Sequence, residues 1–221
     1  MLQRWDEVEV DLRVEVTLAL DEGRPPEPLL AAFAEERPVA VTRLRPFEAG
    51  DALQALIEVL ALLLPLGADR LALALPGVAH LPARESSDVP GGEDGDDGDR
   101  GDPRVGDGQR LVLLATAEPV DDRVEVAGRL HPLERRDGRW LWVRDTVEVD
   151  ARGVPLLDAL AVLLDQRGAL RRSEPLDGEL QQQLARCLLL GHTVALSDEV
   201  ADRLEPDRLA DLLPPADGPG A

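Results

Sequence analysis

Few side chains in this sequence could do chemistry beyond that of an ordinary acid or arginine. They are three histidines (His80, His131 and His192), one cysteine (Cys187) and four serines (Ser86, Ser87, Ser173 and Ser197). A histidine metal site needs its ligands at short spacing, as in H-x-H or H-E-x-x-H. The three histidines stand far apart and form neither pattern, so no metal and no cofactor is expected. An activated serine of the hydrolase type sits in G-x-S-x-G, and none of the four does. Ser197 stands where a helix begins and reads as its cap. Cys187 falls on the apolar side of a helix, the usual place of an inert buried thiol. His192 follows it by five residues, about 140° away around a helix, so the two do not read as a nucleophile and its base.

That leaves His80 and His131 as the candidate catalytic residues. His80 lies past the apolar run Leu71–Leu75 and Pro76-Gly77, just beyond the carboxyl end of an expected central strand. In open α/β sheets, ligands bind beyond the carboxyl ends of the strands. His131 precedes Pro132 on another expected strand and could reach such a pocket only through a tertiary contact. Acid pairs such as Glu35-Glu36 and Asp121-Asp122 could serve glycosidic chemistry. In a chain with 44 acids they are expected by chance.

Other motifs fail on their own terms. From Asp97, the EF-hand pattern has an acid at its third position but Gly101 at its fifth and Asp102 at its sixth, where the loop needs Asp or Asn and then Gly. Gly106-Asp107-Gly108 opens like a dinucleotide fingerprint, lacks the third glycine and leads into a strand rather than a helix.

Composition narrows the function classes further. All 24 basic residues are arginine. Without lysine the chain supplies no P-loop amine, no Schiff base and no kinase strand lysine. The net charge of −20 opposes nucleic acid and anionic membranes and leaves room for a basic protein partner. A single cysteine allows no disulfide within the chain. Arginine without lysine, no asparagine and one isoleucine, Ile57, point to a GC-rich bacterial genome, with a salt-adapted source as the rival reading. Residues 1–7 lack the apolar core of a signal peptide, and the longest apolar stretch, Ala52 to Leu66, is too short to span a bilayer. The expected location is cytoplasmic.

The pattern of elements must place these residues. Val8 to Leu20 alternates apolar and polar for thirteen residues, predicting a long half-buried strand. A short helix is expected over 29–36 and a strand over Val39–Leu44. Asp51 caps a helix over Ala52–Leu64, with Leu53, Leu56, Ile57, Leu60 and Leu64 as its buried stripe. Leu71–Leu75 follows as a central strand, and strand–helix–strand in that order predicts a crossover joining a parallel pair. Arg110–Ala117, Arg123–Arg135 and Arg139–Val149 predict an antiparallel meander, with Asp137-Gly138 as a type I′ turn. Trp140 and Trp142 share a strand face. Helices are expected from Pro155, from Asp177 to a stop at Gly191, and from Ser197. Residues 85–109 hold nine acids, seven glycines and two arginines, the composition of a disordered insertion.

The expected fold is α/β with a mixed sheet: a βαβ unit joined to a three-stranded antiparallel meander, with C-terminal helices. Residues 1–213 form one domain around the 85–109 insertion, and residues 214–221 are a disordered tail. The expected function is that of a non-enzymatic interaction or regulatory protein. The alternative is a small-molecule, hydrolase-like enzyme with a pocket at the C-terminal end of strand 71–75.

Overall fold

A computed structural model describes residues 5–48, 51–79, 109–121, 123–150, 154–165, 177–204 and 212–213. The 85–108 part of the acidic insertion, the tail 214–221 and His80 lie outside the described residues. The chain is of the α/β class, with helices packed on an antiparallel, curled sheet. Along the chain come α1 (Trp5–Asp21), β1 (Leu29–Ala34), β2 (Arg37–Arg43), α2 (Ala52–Leu63), β3 (Arg70–Ala79), β4 (Gln109–Val120), β5 (Arg123–Arg136), β6 (Arg139–Trp142) and β7 (Val147–Val149). There follow α3 (Pro155–Asp165), α4 (Asp177–Leu189), β8 (Thr193–Leu196) and a single-turn α5 (Asp198–Ala201). The sheet order is β6-β5-β4-β3-β1-β2-β8, with β7 also on β5.

Alternation sorts the side chains to two faces. On one face Leu29, Ala31, Phe33, Ala72, Ala74, Val112, Leu114 and Leu133 meet Leu12, Val16 and Leu20 of α1. On the other, Leu30, Ala32, Leu71, Leu73, Ala115 and Ala117 meet Leu56, Leu60 and Leu63 of α2 and Leu157, Leu160 and Leu164 of α3. Helix α4 packs outside α2 through Leu180, Leu184 and Cys187 against Leu62.

Three expectations are corrected. The first is the long strand over Val8–Leu20, which is helix α1. Leu12, Val16, Ala19 and Leu20 are buried, at i, i+4, i+7 and i+8 of one helical face. Positions 12, 16 and 20 satisfy a period of two and a helical period alike, so alternation did not discriminate. What decides is the apolar sheet face beneath, which needs a cover. The second is the helix expected over 29–36, which is β1. Leu29–Phe33 is buried throughout because β1 lies inside the sheet, between β2 and β3. A short apolar run has no period to separate strand from helix. Glu35 and Glu36 form its turn at φ +50° and +67°, as a two-residue type I′ hairpin requires.

The third concerns the crossover. Helix α2 does join β2 to β3, and both are antiparallel to β1, so they run the same way. They are not neighbours, because β1 occupies the place between them, and all the described ladders are antiparallel.

Other details agree or shift. The α2 stripe turns slightly: Leu56, Leu60 and Leu64 are buried with Ala55, Val59 and Leu63, while Leu53 and Ile57 face solvent. The meander stands as β4, β5 and β6 with β7, and Asp137 and Gly138 take positive φ in its second turn. Trp140 and Trp142 both pack into the α1 cluster. Strand β8, between Gly191 and Ser197, was not expected from the sequence. It extends the sheet by pairing with Ala40–Arg43 of β2.

Candidate functional site

Two buried histidines compete for a functional role, and their partners separate them. His192 is placed by the end of α4. Gly191 takes φ +92°, its N–H donates to the Leu188 carbonyl, and the His192 N–H donates to the Cys187 carbonyl. This is a Schellman closure, and it turns the imidazole beneath α2. There the Arg45 backbone N–H donates to Nδ1 at 3.1 Å. Nδ1 is therefore the acceptor, and Nε2 carries the proton it gives to Glu58 Oε2 at 2.9 Å.

Glu58 is the centre of the cluster. Arg45 grips it with Nε at 2.9 Å and Nη2 at 3.2 Å, and Gln54 Nε2 adds a bond of 3.2 Å. The Arg45 hydrogen bond, with those of His192 and Gln54, overrides burial and holds the carboxyl down at about 2. Every hydrogen-bonding nitrogen of His192 is thus used, and nothing is left over for a substrate. The cluster ties the segment after β2, helix α2 and the end of α4 together.

Cys187 belongs to the same knot. Its Sγ lies 3.6 Å from the Glu58 carbonyl, toward which it donates. Burial pushes the thiol up to about 11, with the Glu58 charge adding and Arg186 opposing. It therefore stays protonated at neutral pH, and His192 is committed elsewhere. Folded protein at pH 8 is expected to resist Ellman's reagent, with reaction accelerating by roughly a hundredfold or more in denaturing urea. Rapid labelling of the native protein would show that Cys187 is not enclosed as described.

His131 differs. It sits on β5, beside Val112 of β4, which in turn pairs with Pro76 of β3. The residue is 2% exposed. Its ring meets Trp142 edge-on, centroids 5.4 Å apart at 74°. Arg13 of α1 lies over the same tryptophan, 5.1 Å from its centroid, and brings Nη2 to 3.5 Å from His131 Nδ1. Guanidinium only donates, so Nδ1 turns its lone pair to Arg13 and Nε2 carries the proton. That buried Nε2–H has no partner among the described residues. Burial foremost, then the Arg13 charge, holds the imidazole below its usual range, so it is neutral at pH 7.

The surroundings are well fixed. Trp142 Nε1 donates to Thr17 Oγ1 at 2.9 Å, Thr17 Oγ1 donates to the Arg13 carbonyl at 2.9 Å, and Arg13 holds Glu9 at 2.5 Å. Beside His131 opens a cleft of about 180 Å³ between α1 and the sheet. Glu9, Leu12, Leu114, Thr116, Arg129 and His131 are among the residues lining it. A larger hollow of about 560 Å³ lies between β5, β7 and α3. It shares Arg129 with the cleft, and its lining holds none of the buried unpaired side-chain polar atoms of the described residues.

Of the two histidines singled out by sequence, only His131 falls within the described residues. Its cleft runs along Ala72 and Leu73 of β3 rather than past Leu75. Arg13, Thr116 and Arg129 went unremarked in the sequence. Arg129 and His131 share parity on one strand, and Arg13 follows Glu9 by one helical turn. Those spacings were available signals, but only the register of α1 on the sheet gives them meaning. Ser197 stands at the N-cap position of α5 without a side-chain capping bond.

Among the described residues no group of three His, Cys, Asp or Glu is arranged to hold a metal ion, and no helix is long and apolar enough to cross a membrane. Compared with protein-family models, curated proteins and solved structures, the chain has no significant match in any of the three.

Proposed function

We propose that this is a non-enzymatic regulatory protein that holds a small ligand in the cleft between α1 and the sheet. The observation that carries the reading is the orphaned Nε2–H of His131, buried beside that cleft. A buried donor without an acceptor costs about 1–3 kcal/mol, and a ligand that supplies the acceptor recovers it. Helix α1 forms one wall, so a bound ligand adds contacts that hold α1 on the sheet. The net charge of −20 suits a basic protein as the partner that senses this, in the cytoplasm of a GC-rich bacterium.

The test is a thermal-shift screen with organic acids, amides, alcohols, sugars and nucleosides, run on the native protein and on Ala127→Trp. Ala127 lines the cleft from an exposed position, so tryptophan there fills the cleft and leaves His131 in place. At a hundredfold excess over Kd a ligand adds about 2.7 kcal/mol, which is roughly 5–10 °C for a chain of this size. One class of compound is expected to stabilise the native protein and not the variant, to be recovered chemically unchanged, and to alter salt-sensitive capture of a basic partner. Equal shifts in both proteins, or turnover of the compound, would overturn the reading.

A further inference from the structure

We propose that the cleft is a seat for a short-chain carboxylic acid, its carboxylate received by the His131 Nε2–H and the Arg129 guanidinium. The inference rests on the cleft being a binding site and adds the class of ligand. Arg129 and His131 lie two residues apart on β5, on one face, with Cα atoms about 7 Å apart by strand geometry. Both line the cleft. Arg129 is held only by a long, water-exposed ion pair to Glu148 at 3.9 Å, which an anion in the cleft can displace. Glu9 also lines the cleft, but Arg13 already neutralises it at 2.5 Å. With Glu9 neutralised and Glu148 loosely held, the Arg129 charge and the unpaired His131 N–H favour an anion.

The rest of the cleft selects among anions. Leu12, Ala72, Leu114 and Ala127 make apolar walls, which suit a hydrocarbon body. Phosphate calls for several converging donors or a helix N-terminus, whereas the cleft is lined by one arginine and one neutral imidazole. A volume of about 180 Å³ lies below the ~300–1,000 Å³ of pockets that hold drug-sized ligands. That is the scale of a short unbranched acid.

Trp142, edge-on to His131, supplies an optical reporter. Sodium pentanoate is the probe, with pentanamide and inorganic phosphate as comparators, titrated by tryptophan fluorescence and calorimetry. Pentanoate is expected to saturate, with pentanamide and phosphate weaker by about tenfold or more. Arg129→Ala, at an exposed position, should weaken pentanoate by about tenfold, and Arg129→Lys should restore part of the loss. His131→Leu should abolish binding. If that variant does not fold, the two Arg129 variants carry the test. Pentanamide binding as tightly as pentanoate, or indifference to Arg129→Ala, would overturn the carboxylate assignment and leave the cleft a binding site. Failure of every compound in the wider screen would remove the binding site itself.

Discussion

Replacing Glu58 with alanine is expected to destabilise the protein by about 3–5 kcal/mol, the usual cost of removing one partner from a buried ion pair. In a chain of 221 residues that lowers Tm by roughly 10 °C. The side chain is 7% exposed and receives bonds from Arg45, Gln54 and His192 together. Removing it leaves the His192 Nε2–H with no acceptor and the Arg45 charge with no counterion. Glu58→Gln should recover little, because the amide cannot neutralise Arg45 and turns a donor toward one of its own donors. Combined with His192→Leu, the Glu58 substitution should cost less than the sum of the two, since the second change removes the donor that the first orphaned. Urea midpoints at unchanged slope measure this. A loss under about 1 kcal/mol for Glu58→Ala would show that the knot does not hold α2 to α4.

The same carboxylate sets an acid limit. Its value of about 2 in the fold stands against an ordinary 4.5. As pH falls below 4.5 the unfolded chain takes up this proton before the folded one does. The stabilisation is therefore whole above about pH 4.5 and drains away toward pH 2, on the order of 3 kcal/mol in total. His131 acts higher. Held below its ordinary 6.5, it is buried neutral and withdraws stability as pH falls below 6.5. Glu58→Gln should flatten the lower window and leave the upper one intact.

Much of the fold is legible where one explanation of a pattern excludes the others. The meander from β4 to β6 announces itself by alternation and by Asp137-Gly138, and α3 and α4 by Pro155, Asp177 and Gly191. Legibility fails where a pattern fits two periods, as in α1, or fits none, as in the apolar six-residue β1. It fails again for topology. Crossover rules describe adjacent strands, and nothing local to β2, α2 or β3 says that β1 lies between them. The candidate site is less legible still. His131 stood out because the sequence has so few histidines, but Arg13 and Trp142 reach it across 118 residues and 11 residues. From sequence His192 reads only as a residue turned away from Cys187, and it is the most completely bonded imidazole in the described fold. The decisive contrast, one ring satisfied and the other not, exists only once α1 and α2 are on opposite faces of the sheet.

The helical state of α1 has its own sharp test. Val14 and Val16 would share a face in a strand, and a charge at either would do equal harm. In the helix they part: Val16 is 1% exposed against the sheet, while Val14 is 49% exposed. Val16→Asp is expected to cost about 4 kcal/mol or more, the mark of an unpaired charge forced into a core. Val14→Asp should stay within about 0.5 kcal/mol, the range for surface changes. Val10, 57% exposed, should behave like Val14, and the buried Leu12 like Val16. Urea midpoints for the four aspartate variants decide it, with far-UV circular dichroism confirming that the tolerated pair keep their helix. The outcome reaches the cleft as well, because Leu12 and Glu9 line it and Arg13 fixes which nitrogen of His131 carries the proton. Equal losses at Val14 and Val16 would put residues 8–20 in a strand, and with that register the wall of the His131 cleft and the reason for its orphaned N–H would both disappear.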